Sequence, residues 1–330
     1  MSSHPDIDPE TQLRAVEILR TPPDTVADAE EADRALRPLE KVLPATQEGP
    51  LRATILSNLG LLRLARFRHS SDPADLDQAI AHLAEASTGL LTHGSPPALS
   101  ATIPNLISAL HTRAEVTGNT DDLDAAIAWG RSSVVHLPAR LTQRAAALAS
   151  LSSALRVRYE RSRYAQAEHE GDLTEAYAGD LTEAIELGHQ AIADLPDDHP
   201  RLGSTLSNLG SAYLLAGRAE EAISLFERAV AQARAVRDTL GLARTLNNLA
   251  GSFLRAGRPA EATHTYEEAL EAFRAIGDRE GAERVANNLT VVRDLLAPPD
   301  TASPPETDGP PETAGPPETS DGTQASAARP

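Results

Sequence analysis

The chain has 330 residues, with 48 carboxylates against 30 basic side chains, a net charge of −18 and no cysteine. Those values exclude a disulfide framework and thiolate chemistry, and the negative field opposes nucleic acid and anionic membrane as partners. Aromatic residues make up only 3%, a composition that suits thin layers between closely spaced helices in one elongated array.

The opening MSSHPDIDPE has neither the basic nor the apolar region of a secretory signal. No stretch approaches the 18 or so apolar residues that span a bilayer, so the expected location is cytoplasmic. Residues 9–20 and 26–43 read as helices, the second starting after Asp24-Thr25 and bent at Pro38. Residues 1–50 are therefore expected to be an N-terminal helical cap or a degenerate repeat. A repeated unit then begins at Leu56, Ile103 and Leu148, with longer internal loops than later copies. Pro104 is expected to start or kink its helix, because proline lacks the N–H of the i−4 bond. The connection 163–180 contains a tandem near-duplicate, GDLTEAYA and GDLTEAIE, which lengthens a helix or bulges as a loop.

The next two copies are the clearest. LSNLGSAYLLAGRAEEAISLFERAV from Leu206 aligns without a gap on LNNLAGSFLRAGRPAEATHTYEEAL from Leu246, 40 residues later. Apolar residues recur at helical spacing, as in Leu206, Leu209 and Tyr213, then Ala222, Phe226 and Ala229. Gly217-Arg218 and Gly257-Arg258-Pro259 break the helix pairs. Gly60, Gly210 and Ala250, facing Ala79, Ala222 and Ala262, mark close helix approaches. A third copy opens at Ala286 and ends after one helix, 281–296. Residues 297–330 repeat PPET among Pro, Gly, Ser and Thr, and are expected to be a disordered tail.

One residue type recurs where helix propensity does not favour it. Asn58, Asn105, Asn208, Asn248 and Asn288 precede the same Leu-small pair, although asparagine costs about 0.5 kcal/mol relative to alanine in a helix. Ser150 replaces it in the unit between Asn105 and Asn208. An amide offers donors and an acceptor together, the complement of an extended peptide backbone. Asn247 and Asn287 double it in two units. The alternative is that the amides tie neighbouring helices to one another.

The pattern L-x-x-L-G-x-x-Y, then Gly, then A-x-x-x-F-x-x-A resembles the tetratricopeptide repeat over about residues 51–296, and its 40-residue spacing and N-N-L-A motif resemble the kinesin-light-chain-like subtype. The ADLDQAI, DDLDAAI and GDLTEAI segments resemble repeats of actinobacterial proteins. The resemblance implies an all-α, right-handed α-solenoid of about five helix pairs with a capping helix. It also places the first helix of each pair on a concave wall, so that the asparagines point inward. With packed helices about 8–10 Å apart and an extended chain advancing about 3.3 Å per residue, one asparagine meets about every third residue of a bound peptide.

Arg244 and Arg284 lie four residues before Asn248 and Asn288, on the same helix faces, and Arg255 lies seven beyond Asn248. Arginines on facing helices suit an acidic side chain or a free peptide C-terminus. Alternatively, Arg244 and Arg284 pair with Glu280 or Glu283 of the chain itself. There is no H-E-x-x-H, phosphate-binding glycine loop or G-x-S-x-G, so no enzyme activity, metal or cofactor is expected. The expected function is a protein- or peptide-binding scaffold. A peptide sensor acting on a separate output protein and a self-assembling solenoid are the alternatives.

Overall fold

The computed structural model describes residues 7–20, 28–93, 96–137, 142–168 and 174–296. Among these the chain forms thirteen α-helices and no strand. They are α1 (Pro9–Arg20), α2 (Ala29–Val42), α3 (Pro50–Ser70), α4 (Pro73–His93), α5 (Pro96–Thr117), α6 (Asp121–His136) and α7 (Thr142–Glu168), then α8 (Thr174–Asp194), α9 (Leu202–Leu215), α10 (Ala219–Val236), α11 (Thr239–Arg255), α12 (Pro259–Ala275) and α13 (Arg279–Leu296). Each helix packs on its neighbours in sequence, giving an all-α solenoid. The odd-numbered helices from α1 to α11 also touch the next odd one, whereas the even-numbered helices make no comparable contact with each other. The odd layer is therefore the crowded, concave side and the even layer the splayed, outer side.

Small residues permit this packing. A Cβ on Gly60 would lie 2.5 Å from Leu83 Cγ, and one on Gly210 would lie 3.0 Å from the Phe226 ring. Overpacking of this kind costs about 1–3 kcal/mol. Leucines and alanines fill the layers, and Phe226 and Phe273 are the largest wholly buried side chains.

Two kinds of helix pair follow one another along the chain, the longer ones from α3 to α8 and the shorter ones from α9 to α12. In the later pairs the first helix stops at a glycine in the left-handed region, Gly217 or Gly257, where φ is +75° and +74°. There the Arg218 N–H donates to Tyr213 O at 2.9 Å and the Arg258 N–H to Phe253 O at 2.8 Å, closing the helix ends. Among the earlier pairs α5 also ends at a left-handed glycine, Gly118 with φ +75°, whereas α3 ends at the left-handed Ser71. The extra length lies in the helices and not in longer loops: α3 has 21 residues and α5 has 22, against 14 in α9. Only residues 71 and 72 separate α3 from α4.

Other expectations also need correction. α2 is capped by Asp28, whose carboxylate accepts from the Glu31 N–H at 2.8 Å, and Asp24-Thr25 lie outside the described residues. Pro104 sits inside α5 and does not start it. In the tandem near-duplicate, residues 174–186 are helical and belong to α8, while 169–173 lie outside the described residues, as does the whole of 297–330.

The longer first helices carry a clamp that joins three helices. Arg66 of α3 pairs with both oxygens of Asp75 at the start of α4, and its other nitrogen reaches Asp33 of α2. Arg113 of α5 repeats this with Asp122 at 2.9 and 2.6 Å and Asp77 at 2.9 Å. Arg158 of α7 does so with Asp180 at 2.7 and 2.8 Å and Asp124 at 2.5 Å. Asp75, Asp122 and Asp180 are buried. Burial alone would raise the Asp75 carboxyl, but hydrogen bonds from Arg66 and Arg63 outweigh it and hold it below its ordinary range. The three guanidiniums are pushed up in turn, first by their bonds to Asp75, Asp122 and Asp180.

Candidate functional site

The inner helices differ from the outer ones in charge. Helices α3, α5, α7, α9 and α11 contain twelve arginines and three carboxylates, whereas α4, α6, α8, α10 and α12 contain four arginines and eighteen carboxylates. Six of the twelve arginines are paired with carboxylates of the even-numbered helices, so much of this difference binds the two layers together. Reading the sequence as one string hides this split; summing charge over alternate helices reveals it.

Three open clefts follow the inner layer. The first, about 280 Å³, lies between α5, α7 and α9 and is bordered by Asn105, Ser150, Arg201 and Asn208. The second, about 340 Å³, lies between α9, α10 and α11 and is bordered by Ser207, Asn208, Arg244 and Asn248. The third, about 310 Å³, is bordered by Arg156, Glu160, Asn208, Ser211, Asn248 and Arg255. Asn208 belongs to all three, so they form one trough centred on α9. Its walls otherwise carry small and hydroxyl side chains with scattered aliphatic ones, together with His111, Gln232 and the carboxylate of Asp238.

The sequence candidates fall into two groups. Asn105, Asn208, Asn248, Arg244 and Arg255 come together along this trough. Asn58, Asn247, Asn287, Asn288 and Arg284 line none of these clefts. Asn58 Nδ2 donates to Thr54 O of its own helix at 2.9 Å. Asn288 Nδ2 donates to Asn247 Oδ1 at 3.3 Å, and Asn247 Nδ2 to Asn248 Oδ1 at 3.3 Å, so these amides link α13 to α11. Asn287 is exposed. Arg284 lies over the Phe273 ring at 6.0 Å.

The side-chain amide of Asn208 makes no hydrogen bond among the described residues, and the Asn248 Nδ2 donor is equally open. Arg201, Arg244 and Arg255 have no carboxylate among the described residues within ion-pair distance, whereas Arg156 beside them pairs with Glu160 at 2.8 Å. An open donor-acceptor amide flanked by guanidiniums without a carboxylate partner has the groups to pair with a peptide backbone and a carboxylate. His111, which borders the first cleft, is held below its ordinary range mainly by burial and is the neutral imidazole at neutral pH. From sequence Ser150 is only a break in the asparagine pattern, and Arg201, which precedes its helix, is not a candidate.

Comparison with known proteins supports the repeat. A tetratricopeptide-repeat family model matches residues 173–235 and 201–275. Comparison with curated protein sequences found no match. Among solved structures, a thermophilic tetratricopeptide-repeat protein of Thermus thermophilus is 21% identical, with a TM-score of 0.50 over 72% of this chain and 99% of that one. A signal-transduction ATPase with a tetratricopeptide-repeat sensor, from Pyrococcus horikoshii, is 15% identical, with a TM-score of 0.53 over 85% of this chain and 36% of that one. A putative kinesin light chain with nearly identical repeats, from Podosopora anserina, is 20% identical, with a TM-score of 0.48 over 70% of this chain and 99% of that one.

Proposed function

For a chain that carries tetratricopeptide repeats in a solenoid, we propose a non-catalytic scaffold that holds an extended segment of a partner protein in its inner trough. The observation that carries this reading is the meeting of Asn208, Asn248, Arg244 and Arg255 around α9 and α11. The asparagine amides bind the main chain of the segment, and the arginines bind its carboxylates. The outer helices, with their excess of carboxylates, repel the same ligand, which directs it inward. The trough is open and shallow, so it suits a continuous strand better than a small molecule enclosed on all sides. Nothing in this mode requires a bond to be made or broken.

Selection of a displayed library of unstructured peptides on the full chain tests the proposal. It is expected to return sequences rich in Asp and Glu. Asn208→Ala and Asn248→Ala should each weaken them about three- to tenfold, the worth of one hydrogen bond. Arg244→Ala with Arg255→Ala should flatten the salt dependence of binding. Selected peptides that bind all these variants as tightly as the parent would sink the reading.

A further inference from the structure

The two arginines of α11 stand in register with its amide. Arg244 and Arg255 are eleven residues apart. At about 100° per residue that is three full turns and about 20° more, and Asn248 lies within about 40° of Arg244. All three therefore share one face of the helix. At about 1.5 Å per residue, Arg244 precedes Asn248 by about 6 Å along the axis, and Arg255 lies about 10 Å beyond it. Among the described inner helices α11 alone carries an arginine on both sides. The equivalent positions are Ser204 and Leu215 in α9 and Arg284 and Leu295 in α13, and neither is an arginine in α3, α5 or α7.

The clefts divide in the same way. The second holds Arg244 and the third holds Arg255, while Asn208 and Asn248 border both. The carboxylates lining these two clefts are already engaged. Asp238 caps α11 by accepting from the Gly241 N–H at 2.8 Å, and Glu160 pairs with Arg156 at 2.8 Å. Each cleft thus keeps one guanidinium for a ligand.

An extended strand sends successive side chains to opposite sides. With its main chain on Asn208 and Asn248, such a strand crosses α11 between Arg244 and Arg255. One side chain then enters the second cleft and the next enters the third. Two guanidiniums at a single crossing therefore address neighbours in the ligand's sequence. Acidic residues two apart would fall on the same side and leave one arginine unused.

We propose that the trough selects two consecutive acidic residues, one held by Arg244 and its neighbour by Arg255, with the main chain between them on Asn248. This rests on the reading of the trough as a peptide site and adds its specificity.

The probe is a displayed library of segments of about twelve residues, built from Ser, Ala, Asp, Glu and Lys with a free C-terminus and selected on the full chain. Adjacent acidic pairs are expected to be enriched about tenfold over acidic pairs two residues apart, the worth of one further charge-assisted hydrogen bond. R244E should exchange one acid of the pair for lysine and keep the other, R255E should do so in the reverse order, and R244E/R255E should select adjacent lysines. Both arginines are exposed, so the variants should melt as the parent does. Should a charge reversal fail to fold, R244Q and R255Q are each expected to erase the preference for adjacency while keeping single acids. Equal enrichment at every spacing, or one acid-lysine order on both reversed variants, would overturn the proposal. So would enrichment confined to the last residue, which would assign the arginines to a chain end. In any of those cases, segments that still weaken with Asn208→Ala and Asn248→Ala leave the trough standing without the pair rule, and segments indifferent to both remove it as well.

Discussion

The earlier and later helix pairs solve one problem with two chemistries. Both must fasten a first helix to its partner and to the preceding outer helix. In the earlier pairs an arginine inside the long first helix reaches a buried aspartate at the start of the second, as Arg113 does with Asp122. In the later pairs the arginine has moved to the turn. Arg258 sits over the Phe253 ring at 4.6 Å and pairs with Glu261 and, at 3.3 Å, with Glu220 of the preceding outer helix. Arg218 does likewise over Tyr213 with Glu221. The first arrangement is buried and the second exposed, so the same topological fastening has very different energetic weight.

The sharpest way to break this comparison is to remove one carboxylate from each kind of clamp. Asp122→Ala leaves the part-buried Arg113 with only the exposed Asp77, and should cost about 2–3 kcal/mol. Hydrogen exchange in α5 and α6 should quicken by roughly a hundredfold. Glu261→Ala, in the exposed clamp, should fall within about 0.5 kcal/mol of the parent. Equal losses at the two sites would erase the distinction.

Acid sharpens it next. The folded Asp75 carboxyl lies below its unfolded value, so its stabilisation is complete above that value and is lost as pH falls through the folded one. The window therefore opens below about pH 4. His82 and His111, both lowered mainly by burial, act earlier. The unfolded imidazoles take up protons first, so stability declines as pH falls through about 6.5. Exchange measured from pH 7 to pH 3 should show α3 to α6 loosening before α11 and α12. The smallest effect is expected at the aromatic contact. Arg218→Gln should cost no more than about 1 kcal/mol, local to α9 and α10.

The later pairs were legible in the sequence because each signal is local. A glycine stop, an alanine at the close approach and a 40-residue period all lie within one unit. The clamps of the earlier pairs are harder to read because each draws on three helices and two units. Arg66 and Asp75 are nine residues apart, as are Arg113 and Asp122, but the near-duplicate stretches the third pair to 22. The nine-residue arginine-to-aspartate spacing is the one local trace of them. The candidate site was legible in part for the same reason. A repeat names equivalent positions, but side-chain direction depends on neighbours: Arg244 borders the trough, whereas its equivalent Arg284 lies over Phe273.

The buried clamps also bear on how the molecule answers a pull. Each ties one unit to the unit before it, so Arg66, Arg113 and Arg158 raise the coupling between neighbours in a quasi-one-dimensional stack. Under tension applied at its ends, α2 to α8 should hold as a single block and rupture in one tall event. The glycine-stopped pairs beyond should peel away one after another at lower force, leaving a shortened but intact spring.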